Sequence, residues 1–250
     1  MLYAFILTAI AGLSTLLGSF VILFIKKPKN CYLNVAMGFS AGVMIFISLT
    51  EVLGESIDSI GYSAALVSFF AGIGIIMALD TLVPHAYEAE APSCCKNIKD
   101  SKKLKKCGMM IALGVAIHNL PEGIAVFFSS LADQELGLSM ALAIALHNIP
   151  EGIAVAMPIF YATKNRRKAF WLSFLSGVTE PVAAVLSFLV LSWFINETVL
   201  GVMLGIVAGL MVFISFDELL PFAYQQENND LTIFGIFAGM AVMALSLVWI

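Results

Sequence analysis

Eight stretches of predominantly apolar residues, each about twenty or more long, run the length of this 250-residue chain. They lie at about Tyr3–Ile25, Tyr32–Leu53, Tyr62–Val83, Gly108–Leu131, Leu136–Tyr161, Ala169–Phe194, Val199–Phe222 and Leu231–Ile250. A helix needs about 20 apolar residues to cross the hydrocarbon of a bilayer. In lipid, every backbone N–H and C=O must also find a partner within the protein. The runs are longer than the strands of a membrane barrel and do not alternate, so the sequence predicts an all-α integral membrane protein with eight spans. Composition agrees: 12% of residues are charged, where a soluble domain has about 25%. The first span has no base before it and no clear cleavage site, so it is expected to be retained as a helix.

All 13 Lys and Arg fall in three segments: Lys26 to Lys29, Lys96 to Lys106, and Lys164 to Lys168. These follow spans 1, 3 and 5 and share one side, which the positive-inside rule makes cytoplasmic. The expectation is therefore a plasma (inner) membrane protein with both termini outside the cytoplasm and a cytoplasmic loop at about 86–107. Cys31, Cys94, Cys95 and Cys107 lie in or beside cytoplasmic loops, where thiols stay reduced. Cys94 and Cys95, with His85 or Cys107, offer a weaker reading as a loop metal site.

Val35–Gly54 and Val202–Pro221 match at ten of twenty positions at a constant offset of 167, including Gly38/Gly205, Gly42/Gly209, Met44/Met211, Ser48/Ser215 and Glu51/Glu218. The offset also aligns Phe70-Ala71-Gly72 with Phe237-Ala238-Gly239. Spans 1–3 thus repeat as spans 6–8 in the opposite orientation, a mark of secondary transporters with a mid-membrane site. The organisation expected is one domain, 1–250: repeats at about 1–90 and 169–250 around a span 4–5 hairpin at about 108–161, a 3+2+3 arrangement.

The hairpin carries a hexapeptide twice, HNLPEG at His118–Gly123 and HNIPEG at His147–Gly152. Residues four apart share a helix face. Each copy therefore presents His and Glu together, with Asn119 or Asn148 nearby. Reflection about the connecting loop places Glu122 opposite His147 and His118 opposite Glu151. Pro121 and Pro150 remove a backbone donor and are expected to disturb the helix there. Span 6 adds Glu180, again followed by proline. Ionisable groups inside a membrane are costly and mark ion pathways or substrate sites. Imidazole suits zinc and iron, while carboxylate and carboxamide oxygens admit harder divalent ions. Met44 is either packing or a soft thioether on the route. Glu51 and Glu218 are either collectors of cations at the two mouths or ordinary interfacial acids. Asp80, His85, Glu88 and Glu90 flank the inner end of span 3, where an ion would leave.

Paired HNxPEG motifs, a Glu-Pro on span 6, eight spans and a basic loop after span 3 resemble the ZIP (Zrt/Irt-like) metal transporters, in particular a bacterial zinc-uptake branch. The resemblance covers essentially the whole chain. It implies inward transport through a binuclear site, not an enzyme. His147, Glu122 and Glu151, with His118 beside them, would hold Zn2+. Asn119, Asn148 and Glu180, with Glu122 and Glu151 bridging, would hold Fe2+ or another divalent cation; manganese, cobalt and cadmium are further cargo candidates. Divalent metal ions and the bilayer are the partners expected, nucleic acid is not, and a homodimer is compatible. The competing readings are a metal-selective channel and an intramembrane zinc hydrolase, although the sequence has no HExxH.

Overall fold

A computed structural model describes residues 1–21, 30–82, 116, 119–191, 193–224 and 229–248. Among these, every regular element is helical. Helix α1 is Leu2–Val21. Helix α2, residues 30–60, runs from Asn30–Ile47 through a π turn at Ser48–Val52 into Leu53–Ile60. Helix α3 is Tyr62–Leu82, α4 is residues 119–132, α5 is Gln134–Thr163 and α6 is Arg166–Leu191. Helix α7, residues 197–224, repeats the pattern of α2: Glu197–Ile214, a π turn at Ser215–Leu219, then Leu220–Tyr224. Helix α8 is Asn229–Leu247.

Six of these, α1, α2, α5, α6, α7 and α8, are long and apolar enough to cross a membrane, and Tyr62–Ala78 of α3 is a shorter apolar helix. Large apolar side chains such as Phe70, Leu186, Leu189, Phe234 and Phe237 are exposed. In water such a surface would be a liability, whereas in a bilayer it faces lipid. The protein is an all-helical, multi-pass membrane protein.

The helix ends differ from expectation in instructive places. Helix α2 does not stop near Leu53. The polar stretch after it, which reads as a loop, stays helical because Ser56 is buried and its hydroxyl donates to the Gly201 carbonyl of α7 at 2.7 Å. The turn into α3 is Gly61 alone, at φ +81°, a conformation glycine adopts without strain. The loop expected at 132–135 contracts to one residue, Asp133. Its carboxylate accepts from the backbone N–H of Glu135 and Leu136 at 2.8 and 2.9 Å, an N-cap for α5. The prolines do not break their helices, since α5 runs through Pro150 and α6 through Pro181.

Small residues let the helices approach closely. Helix α2 packs on α8, where Gly42 lies against the Ile236 carbonyl and Gly239 against the Phe39 carbonyl. Helix α7 packs on α3, where Gly209 lies against the Phe69 carbonyl and Gly72 against the Ile206 carbonyl. These four contacts match one another at the sequence offset of 167, as do the two π turns. Such glycine seams are how helices pack where no hydrophobic force drives them together. On the other side of the molecule α1 packs on α5 and α6, and Gly12 and Gly177 each meet the other's carbonyl. The two groups of helices join through an apolar core that includes Met37, Ala41, Met44 and Ile47 of α2, Met140, Ala143 and Ile144 of α5, and Leu204, Ala208 and Met211 of α7.

Candidate metal centre

Helices α4 and α5 part at a single residue, and side chains of the two meet again further along. Eleven residues before Asp133 stands Glu122, and fourteen after it stands His147. Glu122 Oε1 lies 2.7 Å from His147 Nε2. One turn further, Glu151 Oε1 lies 3.7 Å from the same nitrogen. All three residues are buried, and their potential ligand atoms fall within 4.8 Å of one another. Zinc bonds of about 2.0–2.2 Å set tetrahedral ligand atoms roughly 3.3–3.6 Å apart, so the two distances bracket what one ion needs. Two carboxylates in so dry a place are costly without a compensating cation.

Beside this cluster, Asn148 Nδ2 donates to the Ala11 carbonyl at 2.9 Å and to Glu180 Oε1 at 2.5 Å. Asn119 Nδ2 donates to the Ser176 carbonyl at 3.1 Å. Tying down each amide nitrogen fixes the orientation of its oxygen. Both carboxamide oxygens are buried and accept no hydrogen bond from the described residues. Glu180 is itself fully buried. The last residue of each hexapeptide sets the helix spacing here. A Cβ at Gly123 would overlap the Glu180 carbonyl, and one at Gly152 would overlap the Thr15 carbonyl.

Glu51 lines a separate cavity of about 350 Å³ with Glu55, Asp58, Asp133 and Glu135. It lies beyond the apolar core. Ser139 at its edge is eight residues from His147, about 12 Å along α5. Met44, Ile47, Met140 and Ile144, all fully buried, lie in the intervening stretch of α2 and α5. Met44 and Met211 are thus part of the packed core. The side chains of Glu218, Asp80 and Cys31, and the residues His85, Glu88, Glu90, Cys94, Cys95, Cys107 and His118, lie outside what the structure describes. One residue near the site escaped the sequence reading. Ser40 of α2 places its hydroxyl 2.6 Å from His147 Nδ1. Its trace in the sequence is a polar residue where the 167-offset partner is Val207.

A sequence model of the family described as ZIP zinc transporters matches residues 88–247, more than half of the chain. The chain belongs to the ZIP zinc transporter family. The family resemblance read from the HNxPEG pair therefore holds. A zinc transporter ZupT of Chlorobium phaeovibrioides is 49% identical, covering 98% of this chain and 96% of the relative. Proteins of the same name from Clostridium perfringens and Lysinibacillus sphaericus are 44% and 47% identical, over 98% and 99% of this chain and 95% and 97% of their own lengths. Membership of the ZIP family places the chain among transporters rather than enzymes, and the hydrolase reading is set aside.

Proposed function

We propose that the protein carries zinc across the plasma (inner) membrane into the cytoplasm through a binuclear site between α1, α4, α5 and α6. The observation that carries this reading is the buried Glu122–His147–Glu151 cluster. His147 Nε2 and the two carboxylates hold zinc, with His118 completing the set. Glu122 and Glu151 bridge to a second position made by Asn119, Asn148 and Glu180, which takes Fe2+ or another hard divalent cation such as manganese. The two carboxamide oxygens, which accept no hydrogen bond from the described residues, and the Asn148–Glu180 contact support that second position. The names of the relatives support zinc as cargo.

The eight-span 3+2+3 arrangement with an inverted repeat belongs to the same proposal. The matching π turns and glycine seams at one offset support it. The positive-inside rule supports both termini outside. Glu51 and its acidic neighbours then collect cations at the outer mouth, and Glu218 stands at the inner one. Inward movement of a dication gains about 4.6 kcal/mol per 100 mV, so the membrane potential alone can drive it. The buried apolar side chains between the Glu51 cavity and His147 favour a carrier over a passive channel, since a channel needs a continuous polar path.

Uptake into proteoliposomes from a panel of divalent ions tests the function. Saturable zinc uptake that His147→Ala impairs is the expected result, and zinc-indifferent vesicles would overturn it. Two unlike metal positions predict unlike selectivity defects. Asn148→Ala and Glu180→Ala should change the preference between iron and zinc more than His147→Ala does, because oxygen ligands favour harder ions. Competition assays giving one selectivity profile for all three variants would remove the second position.

A further inference from the structure

We infer that Ser40 is a positioning residue for the zinc ligand His147: it fixes the imidazole with its proton on Nδ1 and so reserves Nε2 for the metal. The inference rests on the zinc site proposed above. Ser40 Oγ makes two contacts with the same residue, 2.6 Å to His147 Nδ1 and 3.1 Å to the His147 carbonyl oxygen. A hydroxyl has one hydrogen to donate. The carbonyl can only accept, so the hydroxyl donates there. Its lone pair then faces Nδ1, which must carry the hydrogen of that short contact. The proton on one ring nitrogen of a histidine is set by the hydrogen bond the other makes. With Nδ1 protonated, the Nε2 lone pair is left for a cation shared with Glu122 and Glu151, whose oxygens lie 2.7 and 3.7 Å from it.

Ser40 and His147 are both fully buried. Gly38 and Gly42, on either side of Ser40 in sequence, seat α2 against the Thr232 and Ile236 carbonyls of α8. Helix α2 is thus held from behind while Ser40 reaches α5. The repeat breaks its own symmetry here. The residue at the Ser40 position in the second repeat is Val207, also buried, which has no hydroxyl. His147 and His118 occupy the same position of the duplicated hexapeptide, yet only one copy of the repeat supplies a hydroxyl at this place.

The test uses the full-length protein in detergent. Nitrogen-15 NMR on labelled, zinc-loaded wild type reads the state of each ring nitrogen directly, and the chain has only three His to assign. Nδ1 protonated and Nε2 bound to zinc is expected at His147, and zinc on Nδ1 would overturn the inference without any mutation. Ser40→Ala should weaken zinc binding by roughly 10–100-fold, the usual cost of removing a ligand's hydrogen-bond partner. Ser40→Thr, which keeps the hydroxyl, should restore it. Ser48→Ala removes a hydroxyl on the same helix that donates only to the Met44 carbonyl, and should leave zinc affinity unchanged. If His147→Ala loses zinc affinity while Ser40→Ala binds normally with unaltered His147 shifts, the Ser40 inference fails and the site stands. If His147→Ala itself binds zinc normally, the site reading fails instead.

Discussion

Glu151→Ala protein, correctly inserted, will move zinc no faster than vesicles without protein, and Glu122→Ala will behave the same way. Each carboxylate is buried beside His147 Nε2, at 3.7 and 2.7 Å. Each is also the group proposed to bridge two ions, so removing one takes a ligand from both positions at once. The loss should exceed the roughly 10–100-fold typical of changes outside the ligand shell. Glu151→Gln separates chemistry from packing, since it keeps the volume and removes the charge. The measurement is radioactive zinc uptake normalised to protein in the bilayer. Near-normal uptake by either alanine variant would sink the binuclear reading.

Gly152→Ala is the second large effect, and it acts through the backbone. The new methyl group would collide with the Thr15 carbonyl of α1, and Gly123→Ala would collide with the Glu180 carbonyl of α6. Neither obstacle is a flexible side chain, so the helices must separate. Overpacking of this kind costs about 1–3 kcal/mol. It also displaces Glu151 or Glu122, the residues immediately before. Gly54→Ala and Gly74→Ala meet nothing within 4 Å and serve as controls. Thermal unfolding in detergent, paired with uptake, decides the matter. Gly152→Ala that melts with wild type and transports normally would show that the close approach is unimportant.

The apolar runs and the doubled hexapeptide made the helical membrane fold and the Glu122–His147 meeting legible before any coordinates, because span length and helix period are local properties. The continuation of α2 to Ile60 was not legible. Glu55 and Asp58 look like loop residues until Ser56 is seen bonded to Gly201, a contact across 145 positions. Helices α5 and α6 run on through Pro150 and Pro181, so the disturbance expected at the hexapeptide proline does not end the helix. Ser40 was hidden because one serine in an apolar span is ordinary, and its meaning depends on His147, 107 residues away. Its mismatch with Val207 was visible, but nothing in a linear sequence says which mismatch faces a ligand.

The one-residue joint at Asp133 has a mechanical consequence. Two helices that part at a single capped residue form a fork welded at its base. Gly137 presses on Ser130 just past the weld, with no room for even a methyl group between the prongs there. The proposed ion site spans those prongs, Glu122 on one and His147 and Glu151 on the other. A fork of this kind cannot let go by spreading near its handle. At the proposed site, cargo would leave when whatever covers the open side moves away, so unloading would be an act of uncovering rather than of dismantling.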